Sequence, residues 1–92
     1  MIAPELLRSF LVVAETRSFS RAARRLGLGQ STVSQHVRRL EELLGKRVLA
    51  RDTHSVVPTP DGDALMPLAR LALESQESIR RFAAGIARRR RN

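Results

Sequence analysis

Residues 18–45 hold two amphipathic helical patterns separated only by Gly27, Leu28 and Gly29, so the chain must turn sharply and pack one short helix against another. Ser20 is placed to cap the first helix, its hydroxyl accepting from a backbone N–H the helix leaves unpaired, with Phe19 before it as a hydrophobic staple. Ala22, Ala23 and Leu26 form the apolar side, and the alanines let another helix approach closely. Gly27 suits the left-handed conformation that ends a helix, Leu28 continues the core, and Gly29 caps the second helix less well than Ser or Thr would. That second helix is expected from about Gln30 to Leu44, where Gly45 stops it, and Val33, Val37, Leu40 and Leu44 recur on its apolar face.

The opposite face carries Ser31, Gln35 and Arg38, flanked by Thr32 and Ser34. A helix face selected only for solubility carries Glu and Lys pairs. Short hydroxyls, an amide and an arginine instead match the edges of bases: Gln pairs with adenine, Arg with guanine, and Thr meets the thymine methyl. The competing reading is a solvated amphipathic helix. His36 lies beside the polar face and is expected to be solvated.

The run Ser-Phe-Ser-Arg-Ala-Ala-Arg-Arg-Leu, then Gln-Ser-Thr-Val-Ser-Gln-His-Val, then Leu-Glu-Glu-Leu-Leu-Gly, resembles the DNA-binding domain of LysR-type transcriptional regulators. The likeness extends upstream through Leu7, Phe10, Val13, Ala14 and Glu15, and downstream through Arg51 and Thr59 to Gly62, about two-thirds of the chain. It implies a winged helix-turn-helix followed by a long dimerising linker helix, with a ligand-binding effector domain normally beyond. The chain departs from the pattern at Gly29, where Ser or Thr is usual, at Leu49 for Phe, at His54 for Arg, at Pro58 for Leu, at Asp61 for Ala, and at Arg17 for a frequent Gly. None of these positions lies on the polar face of the second helix of the pair.

Ninety-two residues allow one domain with a small core, so association is an expected source of stability. The absence of Cys excludes a disulfide framework and a thiol metal site, and two histidines alone make no case for a metal. No apolar stretch spans a bilayer and the start has no signal-peptide pattern, which points to the cytoplasm of a prokaryote. The net charge of +8 favours a polyanionic partner. Residues 1–62 carry ten basic against six acidic side chains, and residues 63–92 seven against three, so the charge of the first part does not depend on the tail.

Pro4 and Glu5 suit the start of a first helix ending near Thr16, whose stripe of Leu6, Phe10 and Val13, with Leu7 and Ala14, supports the two that follow. After Gly45, residues 47–51 and the β-branched run 55–57 read as a two-stranded wing joined by the turn formers Asp52, Thr53, His54 and Ser55. Thr59 caps a last helix with Pro60 at its first position, running to about Ala87 and bent at Pro67. Leu65, Leu68, Ala72, Ser75, Ile79, Phe82 and Ile86 make a heptad seam that the chain's own head can cover only in part; a second copy covers the rest. Arg88–Arg91 form a basic, disordered end.

The expected architecture is therefore mainly α: three helices and a short two-stranded wing (residues 1–58), a dimerisation helix (59–87) and a basic end (88–92), without an effector domain. Ser31, Thr32, Ser34, Gln35 and Arg38 are the candidate base readers. Ser20, Arg21, Arg24, Gln30, Arg51 and His54 are the candidate contacts to the DNA backbone. The expected partner is double-stranded DNA with an interrupted palindromic site, its half-sites about a helical turn or a multiple apart, bound by a homodimer that associates further in a longer form. No cofactor, metal, membrane or small-molecule site is expected. No nucleophile–base–orienter set suggests an enzyme. The alternatives are a non-specific architectural nucleic-acid binder, disfavoured by the varied polar face, and a module that docks its seam on a different protein.

Overall fold

The computed structural model describes residues 2–52 and 54–91, with side chains described through residue 85. Among these the chain runs α1 (Pro4–Thr16), α2 (Phe19–Leu26), α3 (Gln30–Leu44), β1 (Leu49–Arg51), β2 (Val56–Pro58) and α4 (Pro60–Arg91). The core forms where α1, α2 and α3 meet, around Phe10, Val13, Ala22, Val33, Leu40 and Val48, all at most 1% exposed. The first five are apolar positions that helical spacing predicts, Val48 is added from the start of the wing, and their burial offsets the entropy of ordering three short helices.

α1 ends at Thr16 as expected. Arg17 follows at φ 55°, in the left-handed region, and its N–H donates to the Val13 carbonyl at 2.7 Å. That conformation explains why the LysR pattern favours glycine here. The cap of α2 differs from expectation. Ser18, not Ser20, is the N-cap: its Oγ accepts from the Arg21 N–H at 3.1 Å. Phe19 is consequently the first residue inside the helix rather than a staple outside it, and its ring is buried. Leu28 is also corrected. Its backbone N–H closes the α2 terminus onto the Ala23 carbonyl at 2.9 Å, past left-handed Gly27, but its side chain is 41% exposed and adds nothing to the core. α3 spans the expected residues, capped by Gly29 without a side-chain bond.

His36 is not a solvated histidine. Its Nδ1 lies 2.7 Å from Oγ of Ser9, which is 1% exposed on α1. A hydroxyl placed in the buried stripe of α1 needs such a partner, and the pair stitches α1 to α3.

The wing strands are antiparallel, with Leu49 opposite Pro58, Ala50 opposite Val57 and Arg51 opposite Val56. They are shorter than residues 47–51 and shifted by one from 55–57. Glu41 on α3 explains the late start of β1, because its Oε2 accepts from the N–H groups of Val48 (2.9 Å) and Leu49 (3.4 Å). Thr59 caps α4 as expected, its Oγ1 accepting from Gly62 N–H at 3.0 Å while donating to the Arg47 carbonyl at 2.6 Å. At Gly62 the backbones touch: any Cβ there would collide with the Val48 carbonyl and stand 3.3 Å from Pro58 Cβ.

α4 has two parts. Leu65, Met66, Ala69 and Leu73 pack on the core, and Glu15 of α1 reaches Arg70 of α4 at 3.5 Å and Arg25 of α2 at 3.8 Å. Residues 74–84 are all exposed. Pro67 lies inside the helix, which runs past the expected end near residue 87 to Arg91. The side chains of that run, and Thr53 and Asn92, lie outside the described residues.

Candidate nucleic-acid interface

Ser31, Gln35 and Arg38 project from α3 and are exposed, while Thr32 and Ser34 are half-buried on its flanks. The burial of Val33, Val37 and Leu40 on one side of the helix leaves this polar set facing away from the protein. Gln30 is exposed at the start of the same helix, and Ser20, Arg21 and Arg24 are exposed on α2. The Ser20 hydroxyl sits 3.2 Å from that of the capping Ser18.

The wing is brought beside α3 by two tethers: Glu41 at the start of β1, and Val56 of β2, whose N–H donates to the Arg17 carbonyl at 3.3 Å. Arg51 thereby reaches back over the head. Its guanidinium stacks on the Phe19 ring, 4.4 Å from the centroid, and Nη2 donates to Ser34 Oγ at 3.4 Å. Two shallow grooves flank it. One of about 610 Å³ runs past Arg38, Lys46 and Arg47, and one of about 290 Å³ lies by Ser18, Ser20, Gln30 and His54. The first also contains Glu41 and Glu42, and Glu41 compensates Arg47 at 3.6 Å. Arg21 and Arg24 line neither of these grooves.

His54 is exposed at the wing tip, where its backbone N–H (2.8 Å) and that of Ser55 (2.6 Å) donate to Asp52 Oδ1. Those two backbone bonds hold the Asp52 carboxyl below its ordinary range, with that from His54 contributing most. The wing tip therefore carries a fixed negative charge that organises the turn, a feature absent from the sequence reading. Asp at the head of a Ser/Thr-rich turn is the signal that could have revealed it.

On α4, Leu68, Ile79 and Phe82 are 63%, 62% and 68% exposed, and Ala72 and Ser75 are exposed beside them. Leu65 differs: it is half-buried against the head. Leu71, which the heptad reading passed over, is 61% exposed and lies on the same face as Leu68 and Phe82. Its spacing of three from Leu68 and four from Ser75 would have identified it. The Ile86 side chain lies outside the described residues. Among the described residues no three His, Cys, Asp or Glu side chains gather as metal ligands, and no helix is long and apolar enough to cross a membrane.

Comparison with known proteins agrees with this geometry. Residues 4–63 match the family described as "Bacterial regulatory helix-turn-helix protein, lysR family". The chain is 60% identical over 60 residues to the HTH-type transcriptional regulator PgrR of Escherichia coli, covering 65% of this chain and 20% of that protein. It is 46% identical over 79 residues to a probable hydrogen peroxide-inducible genes activator of Mycobacterium xenopi, covering 86% of this chain and 42% of that one. The chain thus spans less than half the length of these curated relatives, which are regulators rather than enzymes. Among solved structures, the BenM DNA-binding domain in complex with catB site 1 DNA superposes with a TM-score of 0.87 at 32% identity, covering 92% of this chain and 94% of that one. Oxidised OxyR of Corynebacterium glutamicum gives a TM-score of 0.89 at 35% identity over 94% of this chain and 26% of that one. The winged helix-turn-helix, its apolar and polar faces and the match over residues 4–63 make this chain a member of the LysR family of bacterial helix-turn-helix regulators.

Proposed function

We propose that two copies of this chain pair through the exposed face of α4 and bind one DNA duplex in a sequence-specific manner, as a transcriptional regulator of the LysR type. The observation that carries the reading is the uncovered Ser31–Gln35–Arg38 face of α3 beside the wing arginine, Arg51. An α-helix with short polar side chains fits the major groove, and the wing then lies along the flanking backbone. Similar structures of BenM and Vibrio fischeri DarR that contain DNA support the assignment. In this reading Ser31, Thr32, Gln35 and Arg38 face bases, while Ser34, expected to join them, lies against Arg51. Ser20, Arg21, Arg24, Gln30, Arg51 and His54 meet phosphates or the minor groove, and the site of action is the nucleoid in the bacterial cytoplasm. The dimer seam is Leu68, Leu71, Ala72, Ser75, Ile79, Phe82 and Ile86, with Leu65 joining it to the head. The residue types on α3 favour this over a purely architectural binder, for which Lys and Arg alone suffice.

A titration on matched and scrambled duplexes, the matched one selected from a random pool, tests the reading at several salt concentrations. Gln35→Ala and Arg38→Ala are expected to cost roughly 1–3 kcal/mol each on the matched duplex and to relax its preference. Arg21→Ala is expected to weaken both duplexes alike and to flatten the salt dependence by about one unit. Equal losses on both duplexes for all three variants overturn the division of roles.

A further inference from the structure

Arg51 is the ridge between the two grooves: it and Phe19 line both. Two contacts hold it there. Its guanidinium carbon is 4.4 Å from the Phe19 ring centroid, and its Nη2 donates to Ser34 Oγ at 3.4 Å. The hydrogen bond is long, so the ring face is the stronger hold. Phe19 is only 9% exposed and packed into the core, which makes the ring a fixed platform. Arg25, Lys46, Arg47 and Arg70 each lie within 4.0 Å of a carboxylate, whereas no such pair involves Arg51, or the groove-lining Arg17 and Arg38, among the described residues; of these three, Arg51 alone is also stacked on a ring. The guanidinium is therefore ordered by groups that leave its positive charge uncancelled, an arrangement suited to meeting an anion.

Resting on the DNA-binding reading, we infer that Phe19 and Ser34 are positioning residues for Arg51, and that Ser34 serves this arginine rather than a base. An unrestrained arginine on a wing loses rotamer freedom when it engages a phosphate or a groove edge. Stacking on Phe19 removes part of that loss beforehand. It also sets the height of the guanidinium at the junction of α2, α3 and the wing, where both grooves open. Ser34 adds direction, because its oxygen accepts from one nitrogen of the guanidinium, while no other side-chain hydrogen bond takes the remaining donors among the described residues. The arrangement assigns Ser34 a different role from its neighbours Ser31 and Gln35, which are exposed on α3.

A double-mutant cycle on the full chain tests this, using matched and scrambled duplexes over several salt concentrations. Ser34→Ala is expected to weaken both duplexes alike by about twofold to threefold. Phe19→Leu keeps an apolar group in the core and is expected to cost about twofold to fivefold. Arg51→Ala is expected to cost about tenfold, with a salt slope shallower by about one. In the Arg51→Ala background neither of the other two substitutions should cost anything further. A change of base preference in Ser34→Ala, or undiminished losses in the Arg51→Ala background, overturns the inference. Nuclear magnetic resonance of the unbound chain supplies a readout that needs no DNA. Arg51 side-chain protons above the ring should be shifted upfield and return to ordinary positions in Phe19→Leu. Unshifted protons in the wild-type chain overturn the docked arginine. A wild-type chain that binds no duplex at all sinks the DNA-binding reading and the role given to Ser34, while the upfield shift still reports the stack.

Discussion

The head of the molecule and the far half of α4 are both helical, yet different physics holds them. In the head, Phe10 and Val13 of α1, Val33 and Leu40 of α3 and Val48 before β1 are sealed from solvent by one another. In α4, residues 74–84 are exposed throughout, with Ile79 and Phe82 about two-thirds exposed. A helix of that length with no packed face is marginal in water. The head's stability is thus written in its own contacts. The far half of α4 has no such contacts of its own, and the proposed dimer gives its seam, repeating every three or four residues, a second surface.

That contrast can be broken by substitution. Phe10→Ala opens a cavity in the head and is expected to lower unfolding stability by roughly 3–5 kcal/mol, read from denaturant midpoints. Phe82→Ala should leave the dilute head's unfolding unchanged but weaken self-association by about 2–3 kcal/mol, roughly a hundredfold, measured by sedimentation. If it instead lowers the head's midpoint as Phe10→Ala does, the two regions are not independent. Arg17→Gly relieves the left-handed backbone at the α1–α2 turn and is expected to raise the head's stability by roughly 0.5–1 kcal/mol without altering self-association.

The smallest effect sharpens the picture within the head. Backbone N–H groups of His54 and Ser55 depress the Asp52 pKa, so its folded value lies below its unfolded one. Its hold on the wing tip is fully present above the unfolded value near 4, and is lost as the pH falls through the lower folded value. Exchange protection of the Ser55 amide should therefore fall over that acid range while the amides of α1 and α3 keep theirs. Asp52→Ala should lower that protection at neutral pH.

Much of this was legible in the residues. The bounds of α3 followed from Gly29, Gly45 and the valine–leucine spacing, and the polar face of that helix followed from the same arithmetic. The cap of α2 did not, because Ser18 and Ser20 both fit a capping position. What chose Ser18 is the burial of Phe19, which has to lie inside the helix to reach the core. The shortened β1 reflects Glu41, seven residues upstream of Val48, taking the N–H groups of Val48 and Leu49. No local pattern announces that bond. The Ser9–His36 pair was recoverable in principle, since a serine within the Leu6–Phe10–Val13 stripe needs a partner, but its partner lies 27 residues away. Leu28 misled because an apolar residue between two glycines reads as core, whereas only its backbone is used.

The sequence by itself determined where the chain turns and which face of each helix is apolar, because dihedral preferences and helical periodicity are local properties. Only the tertiary structure decided that Arg51 lies on Phe19 beside Ser34, that His36 turns inward to Ser9, and that Leu65 faces the head while Leu71 faces out. Those outcomes depend on the angle at which one packed element meets another, and that angle is set by the whole core at once.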